Sequence, residues 1–428
     1  MAEIPFSSAL YRLHGRVQHY PWGGYEFIPR LLGLANPELR PFAELWMGTH
    51  PQAPSEVESG GERLGLDALV RREPERILGA GVHARFGAEL PFLFKILDAR
   101  DMLSIQVHPS RPEAEAGFAA EEAAGVPRNA PQRNYRDRNH KPEVHVALTR
   151  FWMLHGFRPL AEIADLLDTI PAFTGLAPWF SLYLHDVQED PAGQVQLLRR
   201  LYEQLMTLPQ QEVDRVLGAL LDQIGPLFDR GLLKKISPHF WAVKAARAFP
   251  LAAGGFDRGI FSIYLLNLLK LEPGQGTFQG AGVPHAYLEG TTVELMANSD
   301  NVLRGGLTPK HVDVPELLKT IRFNGGKPEL LTATPLAPCE KLYSTAVEDF
   351  QLARIDLQAG AVHRSPVPHG PDILILLEGS AAIAAAGEQL ELGRGAIVLA
   401  AADVEWQLRS TSGALLFRAS VPASQGSR

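Results

Sequence analysis

Four short stretches carry side chains that could bind a metal or move a proton. In Gln106-Val107-His108 the polar residues are two apart, and on a strand such residues project from one face. An imidazole nitrogen and an amide oxygen can both ligate a first-row divalent ion. His140-Lys141-Pro142-Glu143-Val144-His145 repeats that spacing, with Glu143 and His145 sharing a face at the entry to an apolar run. Pro142, which lacks an N–H, suits a strand start. In Gly280-Ala281-Gly282-Val283-Pro284-His285-Ala286-Tyr287 the glycines and the proline shape a loop that delivers His285. The fourth stretch, Glu294 to Lys310, sets Arg304 and Lys310 about a Gly-Gly turn, an arrangement that could clamp a phosphate or a carboxylate.

Each stretch alone is also what a solvated strand or a surface loop would carry. Together they say more. Gln106, His108, either Glu143 or His145 (or both), and His285 make a ligand set of nitrogen and oxygen without thiolate, hence zinc or another divalent ion. With one carboxylate and neutral partners, Zn²⁺ would keep a net charge of about +1, as suits a Lewis acid acting on a carbonyl or hydroxyl.

The elements that must position these groups follow from the hydrophobic period. LPFLFKIL (90–97), SIQVHP (104–109) and EVHVAL (143–148) are short strand candidates. Residues 110–140 between them are expected to form one short helix and then an irregular loop. From about 156 to 250 the period becomes helical: Ile163, Leu166, Leu167 and Ile170, then Leu198, Leu201, Leu205 and Leu208, then Val213, Val216, Leu217, Leu220 and Ile224. Strand character returns in FSIYLLNLLKL after 255, in GVPHAYLEGTTVELMA, and in DILILLEG and GAIVLAAAD near the end. The expected fold is mainly β with a helical insertion, two β-sandwich or barrel modules in all.

Composition bounds the function. The 428 residues suggest two or three domains, and the 46% hydrophobic and 21% charged fractions exclude a disordered chain. A net charge of −7 argues against nucleic acid or an anionic membrane as the partner, although a local basic pocket for a phosphorylated small molecule remains open. The single cysteine, Cys339, excludes an internal disulfide framework and any multi-thiolate zinc site. MAEIPFSSALYRL lacks the pattern of a signal peptide, and no apolar stretch approaches a membrane span, so a cytoplasmic protein is expected.

These motifs identify a family resemblance. YPWGG (20–24), AELWMGTHPQAPS (43–55), LPFLFKILDARDMLSIQVHP (90–109), NHKPE (139–143) and GVPHAYLEGTTVELMANSDNVLRGGLTPKHVDVPELL (282–318) resemble the type I mannose-6-phosphate isomerases, which are zinc-dependent enzymes of cupin type. The resemblance covers essentially the whole chain. It implies one Zn²⁺ per chain held by Gln106, His108, Glu143 and His285, which settles the choice in favour of Glu143 and leaves His145 as a packed or hydrogen-bonded neighbour. It further implies Arg304, Lys141 and Glu294 as catalytic groups, and Trp22, Glu44, Lys95, Ser104, Tyr287 and Lys310 as substrate-binding ones. The implied fold is two cupin-like jelly-roll barrels plus a helical domain. The first barrel would take 1–155 and 252–330, the helical domain 156–251, and a barrel without metal 331–428. His363 and His369 precede the apolar runs of that last barrel and no later histidine follows, so it reads as structural. The implied reaction interconverts mannose 6-phosphate and fructose 6-phosphate through a cis-enediol, by a monomer. The alternatives are another cupin metalloenzyme, an epimerase or oxygenase, and a non-catalytic sugar-phosphate-binding protein.

Overall fold

The computed structural model describes residues 8–365 and 370–423; His369 lies outside them. Among the described residues the strands form antiparallel sheets of ten, nine and four strands, and the two longest helices lie within a helical segment between Leu160 and Leu265. The protein is mostly β with a helical segment, as the change of period predicts.

The ten-stranded sheet is organised by one long strand, His285–Ala297. Its second half pairs on one side with Phe92–Ala99 and on the other with Glu143–Ala147. Its first half leaves both and pairs instead with Phe151–Phe157. Gly290 lies at the change of partner, with φ +123°. A Cβ there would come within 2.5 Å of the Arg150 carbonyl oxygen, so only glycine lets the strand cross so closely.

Register decides which side chains meet. Trp46, Lys95, Glu294, His145 and Thr277 stand opposite one another across five strands, so they line one face as a single row. The next row on that face holds Leu93, Met296, Glu143 and Gln279. The opposite face presents Phe92, Phe94, Ile96, Val144, Val146, Val293 and Leu295, which pack with Leu352, Ile373, Ile375 and Phe417 of the C-terminal strands into one apolar core. Phe92–Ala99 is buried along its whole length, so Lys95 and Asp98 are charged residues inside the molecule.

The nine-stranded sheet joins the two ends of the chain, because Leu10–His14 pairs with Ile397–Ala400. The amphipathic stretches form Leu160–Thr169, Pro191–Thr207 and Gln210–Asp229, and their apolar faces pack in a core shared with Ile105, Val107 and Leu154. Residues 110–140 contain a 13-residue helix, Arg111–Ala123, opened by a capping box of Ser110 and Glu113.

One expectation needs correction. FSIYLLNLLKL is not a strand throughout: Gly259–Leu265 is helical and only Leu266–Leu271 is extended. All seven helical residues are buried, so no polar face marks the period, and a short apolar run of this kind fits either element. Short helices at Leu66–Arg72, Pro74–Leu78 and Ala80–Phe86 likewise fall in a region whose sequence reads mostly as strands.

Candidate metal centre and substrate cavity

A cavity of about 300 Å³ opens over the polar face of the ten-stranded sheet. Trp22, Glu44, Lys95, Gln106, Lys141, Arg304 and Lys310 line it, seven residues drawn from five of the motifs. His108, Glu143, Tyr287, His285 and Glu294 are buried and are not among the residues that line it. Ser104 is half-buried on the segment between Leu103 and Gln106, which both line the cavity.

The strongest chemical signal lies at His108, Glu143 and His285, whose ligand atoms all fall within 4.8 Å of one another. His108 Nδ1 is 2.8 Å from the Asn301 carbonyl oxygen, and His285 Nδ1 is 2.9 Å from that of Val283. A carbonyl only accepts, so both Nδ1 atoms carry the proton. Burial pushes His108 down to about 4, which leaves it neutral near pH 7 with a bare lone pair on Nε2. That Nε2 lies 3.3 Å from Glu143 Oε1, and His285 Nε2 lies 3.4 Å from Glu143 Oε2. Neither Nε2 has a hydrogen-bond partner, although both are buried. The His108 lone pair facing a carboxylate oxygen is repelled unless a cation stands between them. Histidines fixed through Nδ1 on backbone carbonyls are also how metal ligands are oriented. The residues present therefore fit a divalent ion with N/O preference. Gln106 stands directly opposite His285 in the register, so its side chain shares that face.

A second layer supports Glu143. Tyr287 donates to Glu143 Oε2 at 2.8 Å and also contacts His145 Nε2. His145 is fully buried and lies 3.4 Å from Glu143 and 3.3 Å from Glu294. These contacts match its reading as a packed neighbour, although Glu143, His145 and Glu294 also form a compact group. Lys95 pairs with Glu294 at 2.7 Å and lies 3.7 Å from Glu44, whose carboxylate accepts from the Trp46 indole at 2.6 Å. Burial alone would lower Lys95, but Glu294 and Glu44 hold it above its usual range and keep it charged.

The cavity rim is cationic. Arg304 follows Leu303 on a two-residue strand paired with Gln106 and Val107. The turn after it is held by Asp257, whose carboxylate accepts from the backbone N–H groups of Gly259, Leu307 and Thr308. Gly306 sits at φ +113°, where a Cβ would meet Gly259 Cα at 2.6 Å. Burial first, then the charge of Arg136, lowers Arg304 below its usual range; burial, Arg304 and Arg136 do the same to Lys310. Three cations that disfavour one another make a site for an anion. Arg136 escapes sequence reading because it lies in the irregular part of 110–140; the only signal is the run NYRDRNH. Its backbone N–H is fastened to Asn301 Oδ1 at 2.7 Å, which ties that loop to the segment leading to Arg304.

Comparisons with known proteins agree with this geometry. A family model described as the phosphomannose isomerase type I catalytic domain matches residues 10–160. The mannose-6-phosphate isomerase of Salmonella typhimurium is 39% identical over 92% of this chain and 95% of its own. The chain belongs to the type I mannose-6-phosphate isomerase family. The Macaca fascicularis member is 33% identical over 94% of this chain and 96% of its own. A solved structure of the Salmonella typhimurium isomerase bound to substrate (f6p) and zinc superposes with a TM-score of 0.84 at 35% identity, covering 97% of this chain and all of the other. A second isomerase structure, bound with zinc and yttrium, gives a TM-score of 0.83. Among the described residues no helix is long and apolar enough to cross a membrane.

Proposed function

We propose that the protein is a zinc-dependent aldose–ketose isomerase that interconverts mannose 6-phosphate and fructose 6-phosphate. The observation that carries this reading is the pair of buried, unpartnered Nε2 atoms facing Glu143 beside a cavity whose rim is cationic. His108, Glu143, His285 and Gln106 would hold the zinc, which supplies, when bound, a Lewis acid toward the oxygen on C1 or C2. Lys310 and Arg136 offer the positive charge that a phosphate requires.

Isomerisation moves the hydrogen of C2 to C1, while O1 gains a proton and O2 loses one. The electrons of the C2–H bond become the C1=C2 bond of a cis-enediol and then the new C1–H bond. Lys141 is the first choice for carrying that proton: it lines the cavity, and its Nζ is 3.5 Å from Glu143 Oε1. Glu294 is the second, disfavoured by its burial in an ion pair with Lys95. Arg304 offers a guanidinium to the enediolate oxygens, the charge that builds in the transition state. Trp22, Glu44, Lys95 and Ser104 would contact the sugar, and Tyr287 steadies Glu143.

We read the ten-stranded sheet as the metal-bearing cupin-like barrel (1–155 with 252–330), the helices as a domain at 156–251, and 331–428 as a second cupin-like barrel. The separate apolar cluster of the C-terminal strands, which includes Ile383, Trp406 and Leu408, supports that division. The functional test is conversion of mannose 6-phosphate to fructose 6-phosphate by the purified protein. Activity lost to a chelator and restored by zinc is expected. Metal-free protein that turns over equally well, or no isomerisation at any zinc level, overturns the reading.

A further inference from the structure

The two segments that carry His108 and Glu143 meet at a single carboxylate from the C-terminal strands. Asp349 ends the loop between Glu340–Tyr343 and Gln351–Leu357. It is only 3% exposed, and its neighbour Phe350 is fully buried in the core between the two sheets, which fixes the backbone there. Asp349 Oδ2 accepts from His140 Nε2 at 2.9 Å, and Oδ1 accepts from Arg111 Nη2 at 3.2 Å. His140 opens the stretch His140-Lys141-Pro142-Glu143. Arg111 comes three residues after His108 and begins the helix Arg111–Ala123. His140 Nε2 and Arg111 Nη2 lie 3.0 Å apart, two donors brought together by the acceptor they share.

We propose that Asp349 is a positioning residue for the metal centre, setting the spacing of His108 and Glu143 and the placement of Lys141; this rests on the zinc reading above. The levers are short and stiff. Only two residues lie between His140 and Glu143, Pro142 restricts φ there, and Glu143 is the first residue of its strand. On the other side the capping box of Ser110 and Glu113 and the proline at the start of the helix stiffen the link from Arg111 back to His108. Mere adhesion does not account for the arrangement. The apolar core already joins the two sheets, and burying a carboxylate costs desolvation that a half-exposed arginine repays poorly. Both partners of Asp349 flank the proposed ligands.

The test uses the full-length zinc enzyme and reads zinc transfer to a chelator together with kcat and KM at saturating zinc. Asp349→Ala is expected to lose zinc about 10–100-fold faster, with a comparable fall in kcat and KM within about twofold. Asp349→Asn should fall between it and wild type, because only one amide oxygen can accept. Arg111→Ala, at a half-exposed side chain, should show the same effect more weakly. Glu348→Ala, next door but with an 86% exposed side chain, should match wild type. If Asp349→Ala does not fold, Arg111→Ala and His140→Gln decide. Folded variants with wild-type zinc loss and kcat overturn the proposal, as does a Glu348→Ala that behaves like Asp349→Ala. Wild-type protein that takes up no zinc would defeat the functional reading itself, a result read separately from these variants.

Discussion

Two buried polar clusters stand one in each of the large sheets, and they are balanced differently. In the C-terminal strands Arg418 lies between two carboxylates, donating to Glu340 at 2.7 Å and to Asp372 at 2.8 Å. Asp372 also accepts from the Trp406 indole, and His363 lies 3.3 Å from Glu340. The cation there is part of the chain. At the other cluster the Lys141 ammonium lies 3.5 Å from Glu143 Oε1, the oxygen that also faces His108 Nε2, while Oε2 faces His285 Nε2 with no ammonium or guanidinium of the described residues paired to it. A buried histidine-carboxylate pair is therefore not itself a metal site; two histidines converge on Glu143, whereas a single histidine meets Glu340, whose other oxygen is held by Arg418.

The largest expected effect follows directly. Glu143→Ala and His285→Ala should each lose the zinc and activity together, measured by metal analysis and turnover, whereas His145→Ala should keep both. A His145→Ala protein without metal, beside a Glu143→Ala protein with it, would move the centre to the deeper group of His145 and Glu294. Next comes Arg304→Ala. It should fold and keep zinc, while kcat falls by about 10²–10³ with little change in KM, the range for removing one donor to a developing oxyanion. A raised KM at wild-type kcat would instead make Arg304 a phosphate clamp.

In the C-terminal cluster the same logic predicts a stability effect without a metal effect. Arg418→Leu leaves Glu340 and Asp372 buried and unpaired, which should cost about 3–5 kcal/mol in denaturant unfolding at unchanged zinc stoichiometry. His363→Ala should be milder and equally silent toward zinc. The smallest effect is in pH. Burial raises Glu340, but His363 and Arg418 outweigh it and hold the folded pKa below the usual value. A depressed folded pKa contributes stability above about pH 4.3, and that contribution is lost as the pH falls through the folded value. Glu340→Gln should therefore flatten the acid limb of the stability profile; an unchanged limb would show that another group governs it.

The sequence shows much of the site and less of its support. Strand alternation and a Gly-Gly turn are local rules, so the sequence singles out Gln106, Lys141, Arg304 and Lys310 stretch by stretch, and the family resemblance joins them; the structure finds all four lining one cavity. Asp349 could not be read this way: its partners are more than two hundred residues away, and only the packing of the two sheets brings them together. The pairing of Leu10–His14 with Ile397–Ala400 is hidden for the same reason. The helix Gly259–Leu265 is hidden for a different one, since burial on all sides removes the alternation that marks an element.

On this reading zinc belongs between Glu143 and the unpartnered Nε2 atoms of His108 and His285. Anomalous diffraction at the zinc edge from crystals of the zinc-loaded protein tests it most directly. One strong peak per chain is expected, about 2.0–2.2 Å from His108 Nε2, His285 Nε2 and a Glu143 oxygen. A peak at Glu143, His145 and Glu294, or one beside Glu340 and His363 in the C-terminal cluster, would contradict it.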